Sequence, residues 1–385
     1  MNNFEFYNPT RVVFGQGSII KLNQLIPSNA RVLILYGGKS AEKNGTLTEV
    51  RTALGSRFVR EFGGIEPNPI FETLMQAVTT VRNENIDFLL AVGGGSVIDG
   101  AKFVAAAARF ANDPWDILQT VGAAITDALP LGAVVTLAAT GSEMNSGAVV
   151  TRPDIKTKAF FSSPFVFPRF AILDPEKTYS LPTQQVANGV VDAFTHVIEQ
   201  YLTYPVDARV QDRFAEGLLQ TLIEIAPTVI NAPADYKSRA NLMWSATQAL
   251  NGLIGAGVPQ DWSTHLLGHE LTALYGIEHA RTLALILPSM LRLRKESKRA
   301  KLLQFATRVW DIHTGSEDER IEQAITRTQQ FFESLGLKTR LSDYNLNASD
   351  IDTLVEQLRH HGMSALGETQ EITLDVSRKV FIGCM

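Results

Sequence analysis

Apolar residues in the first half of the chain come in short, unbroken runs. Val32–Tyr36, Phe88–Val92 and Leu131–Leu137 are the clearest. Runs of that length, rich in branched aliphatic residues and bounded by turn residues, read as strands buried on both faces. Between them lie longer stretches with helical spacing, Phe71–Arg82 and Val97–Arg109. Asn68-Pro69 reads as the cap and first helical position of the former. Strand and helix in alternation predict a parallel sheet covered by helices. Strand-like runs fade after Phe170–Leu173. From Thr183 the pattern is almost wholly helical: Gln184–Tyr201, Asp207–Ile225, Lys237–Leu250, His265–Leu274, Lys298–Trp310 and Ile321–Leu335. Leu181-Pro182 marks the boundary, because the residue before a proline resists helix. The expected organisation is an α/β domain over residues 1–181 and an all-α domain over 182–385. Phe4–Tyr7 and Arg11–Phe14 read as short strands ahead of the first helix.

Composition supports two domains, since a single core rarely grows past ~250–300 residues, and the chain has 385. An apolar content of 45 % with a net charge of −5 describes a globular chain without the basic footprint that nucleic acid requires. No apolar run reaches the ~18 residues of a membrane span, and the N-terminus lacks the basic and apolar regions of a secretory signal. The single cysteine, Cys384, excludes an intramolecular disulfide and suits a reducing compartment. The expected location is the cytoplasm.

Histidine changes the picture. The chain has seven, and His196, His265, His269 and His279 fall in two short segments. Asp192 and His196 are four apart, as are His265 and His269, so on a helix each pair shares a face. A carboxylate and imidazoles paired on two helices suit a divalent transition metal. Spacing alone selects His265 and His269 as ligands on the second helix. His265 and His279 are ~21 Å apart on one straight helix, so both can serve only if the helix breaks between them. Gly276, after Tyr275, is placed for such a break.

A second signal lies in the first half. In AVGGGSVIDGAK a strand runs into Gly93-Gly94-Gly95-Ser96 and then a helix, with Asp99 in its first turns. Glycines admit a phosphate to the backbone, and the helix N-terminus offers free amides and a positive dipole end. This predicts a nucleotide site. The turn Thr136–Glu143, with Thr136, Thr140 and Ser142, offers hydroxyls and amides to the same dinucleotide. After Val32–Tyr36 come Gly37, Gly38, Lys39 and Ser40, with none of the acidic residues that accept the ribose 2′-hydroxyl of NAD. Lys39 and Ser40 suit a 2′-phosphate, so NADP(H) is the expected cofactor. Gly38-Lys39-Ser40 is not the end of a P-loop, because Leu33 stands where that motif needs glycine.

These motifs together resemble the iron-containing (group III) alcohol dehydrogenases, and within them the bacterial NADPH-dependent aldehyde reductases and butanol-dehydrogenase-like enzymes. The resemblance runs nearly end to end. It is carried by Pro9–Gly15, GGGSVIDGAK at 93–102, ATGSE at 139–143, LDP at 173–175, DAFTHVIEQY at 192–201 and His265-x₃-His269-x₉-His279. It implies a dinucleotide-binding, Rossmann-like N-terminal domain and an all-helical C-terminal domain, the dehydroquinate synthase-like fold. It implies that Asp192, His196, His265 and His279 bind one divalent metal, with His269 facing the nicotinamide instead. It aligns Lys158 with a lysine near the cofactor's ribose and phosphate. Two positions depart from the family pattern: Leu137 replaces a hydroxyl-bearing residue of the Thr136 turn, and Ala280-Arg281 follows His279 where many relatives have glycine.

The implied reaction is reversible reduction of small aldehydes to primary alcohols, with a proton reaching the alkoxide through His269, a ribose hydroxyl or water. Iron and zinc both fit three imidazoles and a carboxylate. A polyol dehydrogenase and a dehydroquinate-synthase-like lyase are rivals on the same fold. No arginine or lysine cluster accompanies the metal motif, as a carboxylate- or phosphate-bearing substrate would favour. A metallohydrolase is disfavoured by Leu266, which stands where HExxH enzymes carry their glutamate base. A non-catalytic nucleotide-binding regulator is the reading from outside enzymology. The family commonly pairs its N-terminal strands between subunits, so a homodimer is expected.

Overall fold

The unbroken apolar runs become the centre of a parallel sheet. The computed structural model describes all 385 residues. In chain order the strands of the first half are β1 (Arg11–Phe14), β2 (Arg31–Tyr36), β3 (Phe58–Phe62), β4 (Phe88–Gly93), β5 (Leu131–Val135), β6 (Gly147–Arg152), β7 (Thr157–Ser162) and β8 (Phe170–Leu173). Six of them form one sheet in the order β1-β8-β5-β4-β2-β3, and every pairing in it is parallel. Strands β4, β5 and β8 are buried along their whole length, which explains why their sequences are continuously apolar and do not alternate. Short helices α1 (Leu22–Leu25) and α2 (Ser40–Lys43) and the longer α3 (Thr46–Leu54), α4 (Phe71–Asn83), α5 (Gly95–Arg109) and α6 (Asp116–Gln119) connect the strands. Leu22, Leu47, Val50 and Leu54 from this set pack with Val32, Ile34, Leu90 and Ile172 of the sheet in one apolar cluster.

Several local expectations differ. Phe4–Tyr7 is not a strand. Asn68 does not cap α4: Ile70 holds that position. Asn68 is left-handed, with φ 58°, and its N–H donates to Ser96 Oγ at 3.2 Å. The antiparallel hairpin β6–β7 has no strong sequence signature: β6 alternates in burial, but the apolar Val149 stands at one of its part-exposed positions and β7 breaks the alternation.

The second half contains α7 (Thr183–Tyr201), α8 (Arg209–Asn231), α9 (Tyr236–Ala249), α10 (Ser263–Tyr275), α11 (His279–Leu293), α12 (Arg299–Arg308), α13 (Glu317–Ser334) and α14 (Ala348–His360), then β9 (Ala365–Leu366), β10 (Ile372–Thr373) and α15 (Leu374–Gly383). It is therefore helical apart from one hairpin of two-residue strands. Leu267 and Leu271 of α10, Leu285 and Ile286 of α11, Leu354 and Leu358 of α14 and Phe381 of α15 share one core. No helix is long and apolar enough to cross a membrane.

The chain divides between Pro182 and Thr183, but two segments change sides relative to a simple cut at 181/182. One compact unit is Tyr7–Pro182 with Ala232–Thr247, and the other is Met1–Phe6 with Thr183–Asn231 and Gln248–Met385. Side chains give the reason. Thr247 of α9 donates to Glu143 at 2.5 Å, and Trp244 meets the Phe14 ring edge-on at 6.2 Å between centroids. Asn2 N–H donates to the Gly257 carbonyl at 2.9 Å.

Candidate functional site

In the α/β unit, parallel pairing brings the candidate nucleotide residues together. Gly37–Ser40 follow β2, Gly94–Ser96 follow Gly93 at the end of β4, and Thr136–Ser142 follow β5. These strands are neighbours in the order β5-β4-β2, in register with Val92 opposite Tyr36 and Gly93 opposite Val135. Three loops separated by up to about a hundred residues thus leave the carboxyl ends of adjacent strands, the edge at which such sheets bind ligands. Strand β3 lies outside β2 while β4 lies inside it, so the crossover direction reverses between β2 and β4.

The loops carry the features a dinucleotide needs. Gly94 is the N-cap of α5 and provides no side-chain cap, so the first-turn amides remain available to an anion. A Cβ on Gly95 would lie 2.5 Å from Thr140, so only glycine lets the Thr140 turn approach this helix end. Gly38, Lys39 and Ser40 are exposed. Lys158 is buried at 9 % exposure on β7, opposite Thr151.

Asp99 and Ser142 do other work as well. Ser142 Oγ donates to Asp99 Oδ1 at 2.5 Å, and Val149 N–H donates to Asp99 Oδ2 at 3.0 Å. Lys102 joins them. Its side chain is 0 % exposed, and its Nζ donates to Ser142 Oγ (2.9 Å), Asn145 Oδ1 (3.0 Å) and the Gly147 carbonyl (2.7 Å). One buried ammonium therefore ties α5 to the turn after β5 and to the start of β6. Burial pushes the Lys102 ammonium down to about 8, against the opposing pull of Asp99 and Glu143. Burial likewise raises the Asp99 and Glu143 carboxyls. Sequence reasoning missed Lys102 as a structural centre. The available signal was one cation inside the otherwise apolar run from Gly100 to Ala108.

In the helical unit, Asp192 and His196 stand one turn apart on α7, which is buried at every position from Val190 to Tyr201. His265 and His269 lie on α10. That helix stops at Tyr275, where Gly276 takes a left-handed C-cap with φ 67°, and α11 begins at His279. The chain turns back closely: a Cβ on Gly268 would lie 2.5 Å from Thr282 Oγ1. The break at Gly276 and the small residue at Gly268 bring His265 and His279 side by side, with ring centroids 5.2 Å apart.

Around Asp192 Oδ1 stand His196 Nε2 at 3.7 Å, His265 Nε2 at 3.9 Å and His279 Nε2 at 3.7 Å. Each distance is too long for a hydrogen bond. Each is near the separation of about 3.4 Å between two ligands held ~2.1 Å from one tetrahedral ion. Donor atoms of Asp192, His265 and His279 all lie within 4.8 Å of one another; His196 stands beside this tight group, its ring stacked on His265 at 4.6 Å. The buried His196 Nδ1 and His265 Nε2 have no hydrogen-bond partner. Paired imidazoles and a carboxylate aimed at one point fit a divalent metal. His269, which spacing alone selects, is not in the group. One turn along α10 it lies beyond the point of convergence, its ring 5.5 Å from that of His279.

Charge around the cluster is uneven. Burial pushes His196 down to about 4, with Asp192 opposing and His265 reinforcing. Burial also acts downward on His265, but Glu199 and Asp192 outweigh it and lift it to about 9. The two carboxylates thus demand positive charge between them, which a proton or a divalent cation meets. Glu199 was missed by sequence reasoning, although positions 192, 196 and 199 share one face of a helix. Trp262 was missed too. It precedes α10 at φ 60°, and its ring makes T-shaped contacts with those of His196 and His265, at 6.2 and 5.5 Å between centroids.

Comparison with known proteins agrees with both halves. The iron-containing alcohol dehydrogenase description matches residues 9–175, and the C-terminal description of the Fe-containing alcohol dehydrogenase family matches residues 186–373. The chain is 59 % identical over 383 residues to NADPH-dependent aldehyde reductase YqhD of Escherichia coli, covering 99 % of each chain. It is 42 % identical over 367 residues to a probable NADH-dependent butanol dehydrogenase 1 of Bacillus subtilis, covering 94 % of this chain and 95 % of that one. The crystal structure of E. coli YqhD superposes with a TM-score of 0.99 at 58 % identity, over 100 % of this chain and 99 % of that chain. The NADH-dependent butanol dehydrogenase A of Thermotoga maritima superposes with a TM-score of 0.95 at 34 % identity, over the same shares. With both halves matched and full-length relatives well above 30 % identity, this chain belongs to the iron-containing alcohol dehydrogenase family.

Proposed function

We propose that this alcohol dehydrogenase family member works chiefly as an NADPH-dependent reductase of small aldehydes, with alcohol oxidation as its reverse reaction. The observation that carries the reading is the convergence of Asp192, His265 and His279, whose donor atoms all lie within 4.8 Å of one another. Asp192, His196, His265 and His279 would hold one divalent ion, iron or zinc. When bound, the metal supplies Lewis-acid polarisation of the carbonyl oxygen, and NADPH supplies the hydride.

The remaining tasks fall to the chain's own residues. Gly93, Gly94, Gly95 and Ser96 receive the pyrophosphate at the α5 N-terminus, with Thr136 and Thr140 beside it. Asp99 and Ser142 hold this cradle in shape through Lys102. Lys39 and Ser40 grip the 2′-phosphate, and Lys158 serves the ribose and phosphate. The name of the E. coli relative, NADPH-dependent, supports this cofactor, while the NADH in the B. subtilis relative's name shows that the preference is not uniform in the family. His269 donates the proton that becomes the hydroxyl hydrogen of the product alcohol.

The enzyme is proposed to be cytoplasmic, consistent with its one buried, unpaired cysteine, and a homodimer. Strand β1 is an edge strand, and its outer row of backbone groups is open to pairing with a second copy. Light scattering at micromolar concentration should give twice the chain mass; a monomer would refute the dimer. The functional test is an aldehyde panel followed by NADPH absorbance, with bound metal measured on the same sample. Turnover that scales with metal content and favours NADPH is expected. Full metal occupancy without turnover of any aldehyde would overturn the reading.

A further inference from the structure

The start of α10 is built around two buried carboxylates, Asp261 and Glu199. Trp262, the residue ahead of the helix, is left-handed and supplies no side-chain cap. The two acids take over. Ser263 N–H donates to Asp261 Oδ1 at 3.1 Å, and Thr264 N–H donates to Glu199 Oε1 at 2.6 Å. The other oxygen of Glu199, Oε2, meets His265 Nδ1. The backbone carbonyl of Glu199 also accepts from Asp261 N–H at 2.9 Å. Glu199 is 3 % exposed, so water does not compete for these contacts.

We propose that Glu199 is a positioning residue that decides which nitrogen of His265 is offered to the metal, while capping the helix that carries it. The proposal rests on reading Asp192, His265 and His279 as ligands. With Oε2 accepting from Nδ1–H, His265 keeps its lone pair on Nε2. That is the atom 3.9 Å from Asp192 Oδ1, and it has no hydrogen-bond partner of its own. Ligating histidines are commonly held this way, by an acceptor on the second ring nitrogen.

Only a carboxylate can do both jobs, because both neighbours are donors. Glutamine has one acceptor and one donor. If its oxygen keeps Thr264 N–H, its NH2 group faces His265 Nδ1; Nδ1 must then accept, and the proton moves to Nε2, where it blocks the metal. The flipped amide would set NH2 against the fixed donor Thr264 N–H, a clash that no change of tautomer relieves, so the first arrangement is the one adopted. Glu199→Gln therefore separates metal binding from folding.

The test is competition for Zn²⁺ between the full-length protein and a chromophoric chelator, beside thermal unfolding of the metal-free forms. Glu199→Gln should bind Zn²⁺ ~10–100-fold more weakly while unfolding at nearly the wild-type temperature. A purely structural glutamate would lower the unfolding temperature and leave affinity alone. Wild-type affinity in Glu199→Gln overturns the proposal and leaves the ligand assignment standing. Failure of the wild type to bind Zn²⁺ overturns both. If the variant does not fold, nitrogen spectra of zinc-loaded wild-type protein labelled with ¹⁵N-histidine decide. The proposal requires His265 to carry hydrogen on Nδ1 and metal on Nε2, and the reverse pattern refutes it.

Discussion

Replacing Lys102 with methionine tests how the nucleotide end is held together. The substitution keeps the length and apolar stem of the side chain and deletes only the ammonium. Three acceptors each lose one charged donor: Ser142 Oγ, Asn145 Oδ1 and the Gly147 carbonyl. Asp99 keeps its bonds to Ser142 and Val149 but loses a neighbouring positive charge. Two effects oppose each other. Burial pushes the ammonium from 10.5 down to about 8 even against the pull of Asp99 and Glu143, so the charge is held at a desolvation cost that methionine removes. Against that stand three hydrogen bonds to a charged donor, at ~1.5–3 kcal/mol each, and an acid left without its cation. Removing one member of a buried charged pair costs about 3–5 kcal/mol. The losses win: three charge-assisted bonds even at the low end, ~4.5 kcal/mol in all, exceed the penalty, and the overall destabilisation is about 3–5 kcal/mol. At ~2–4 °C per kcal/mol for a unit of this size, thermal unfolding followed by circular dichroism should fall by about 10 °C. The KM for NADPH should rise, because the Thr140–Ser142 turn loses its anchor to α5. An unfolding temperature within about 2 °C of wild type, with unchanged KM, would show that the ammonium is not the tie described above.

The same lysine predicts a pH dependence. Its pKa is lower in the folded state, so between pH 8 and 10.5 the unfolded chain binds more protons and stability rises with pH. From pH 7.5 to 9.5, wild type should gain about 2 kcal/mol in urea unfolding relative to Lys102→Met, and a parallel pair of profiles would count against the shift. His265→Ala and His279→Ala should each lose bound metal and turnover together by elemental analysis, whereas His269→Ala should keep its metal and lose turnover; full metal in both ligand variants would remove the assignment. Lys39→Ala should raise the KM for NADPH about tenfold or more, since a hydrogen bond to a charged group contributes ~1.5–3 kcal/mol, and should leave NADH kinetics nearly unchanged. Equal effects on the two cofactors would place Lys39 away from the 2′-phosphate.

Local pattern determined much of this protein. Runs such as Phe88–Val92 specify strands, because a strand buried on both faces can tolerate only apolar residues. The helical spacing of Gln184–Tyr201 specifies α7, and Gly276 specifies the end of α10, since a left-handed residue there favours glycine. Gly93–Ser96 are legible as a turn into a helix start for the same local reason: glycine, turn and helix start are consecutive in the chain. These signals lie within a few residues of one another, so they survive in one dimension.

Tertiary structure decided what depends on distant partners. Spacing favours His269 over His279, and only the return of α11 against α10 brings His279 beside Asp192 and leaves His269 aside. Glu199 acquires its role from Thr264 and His265, 65 and 66 residues away. Lys102 reads as an ordinary helix lysine until β5 and β6 set their turns around it. Segment 232–247 reads as part of the helical half but packs with the α/β unit, because helical periodicity reports that a face is buried and not what buries it. A buried polar or charged group is tolerable only with its partners in place, and those partners come from far along the chain. The sequence therefore reveals the elements and the kinds of residue that do chemistry, while folding decides which of them meet.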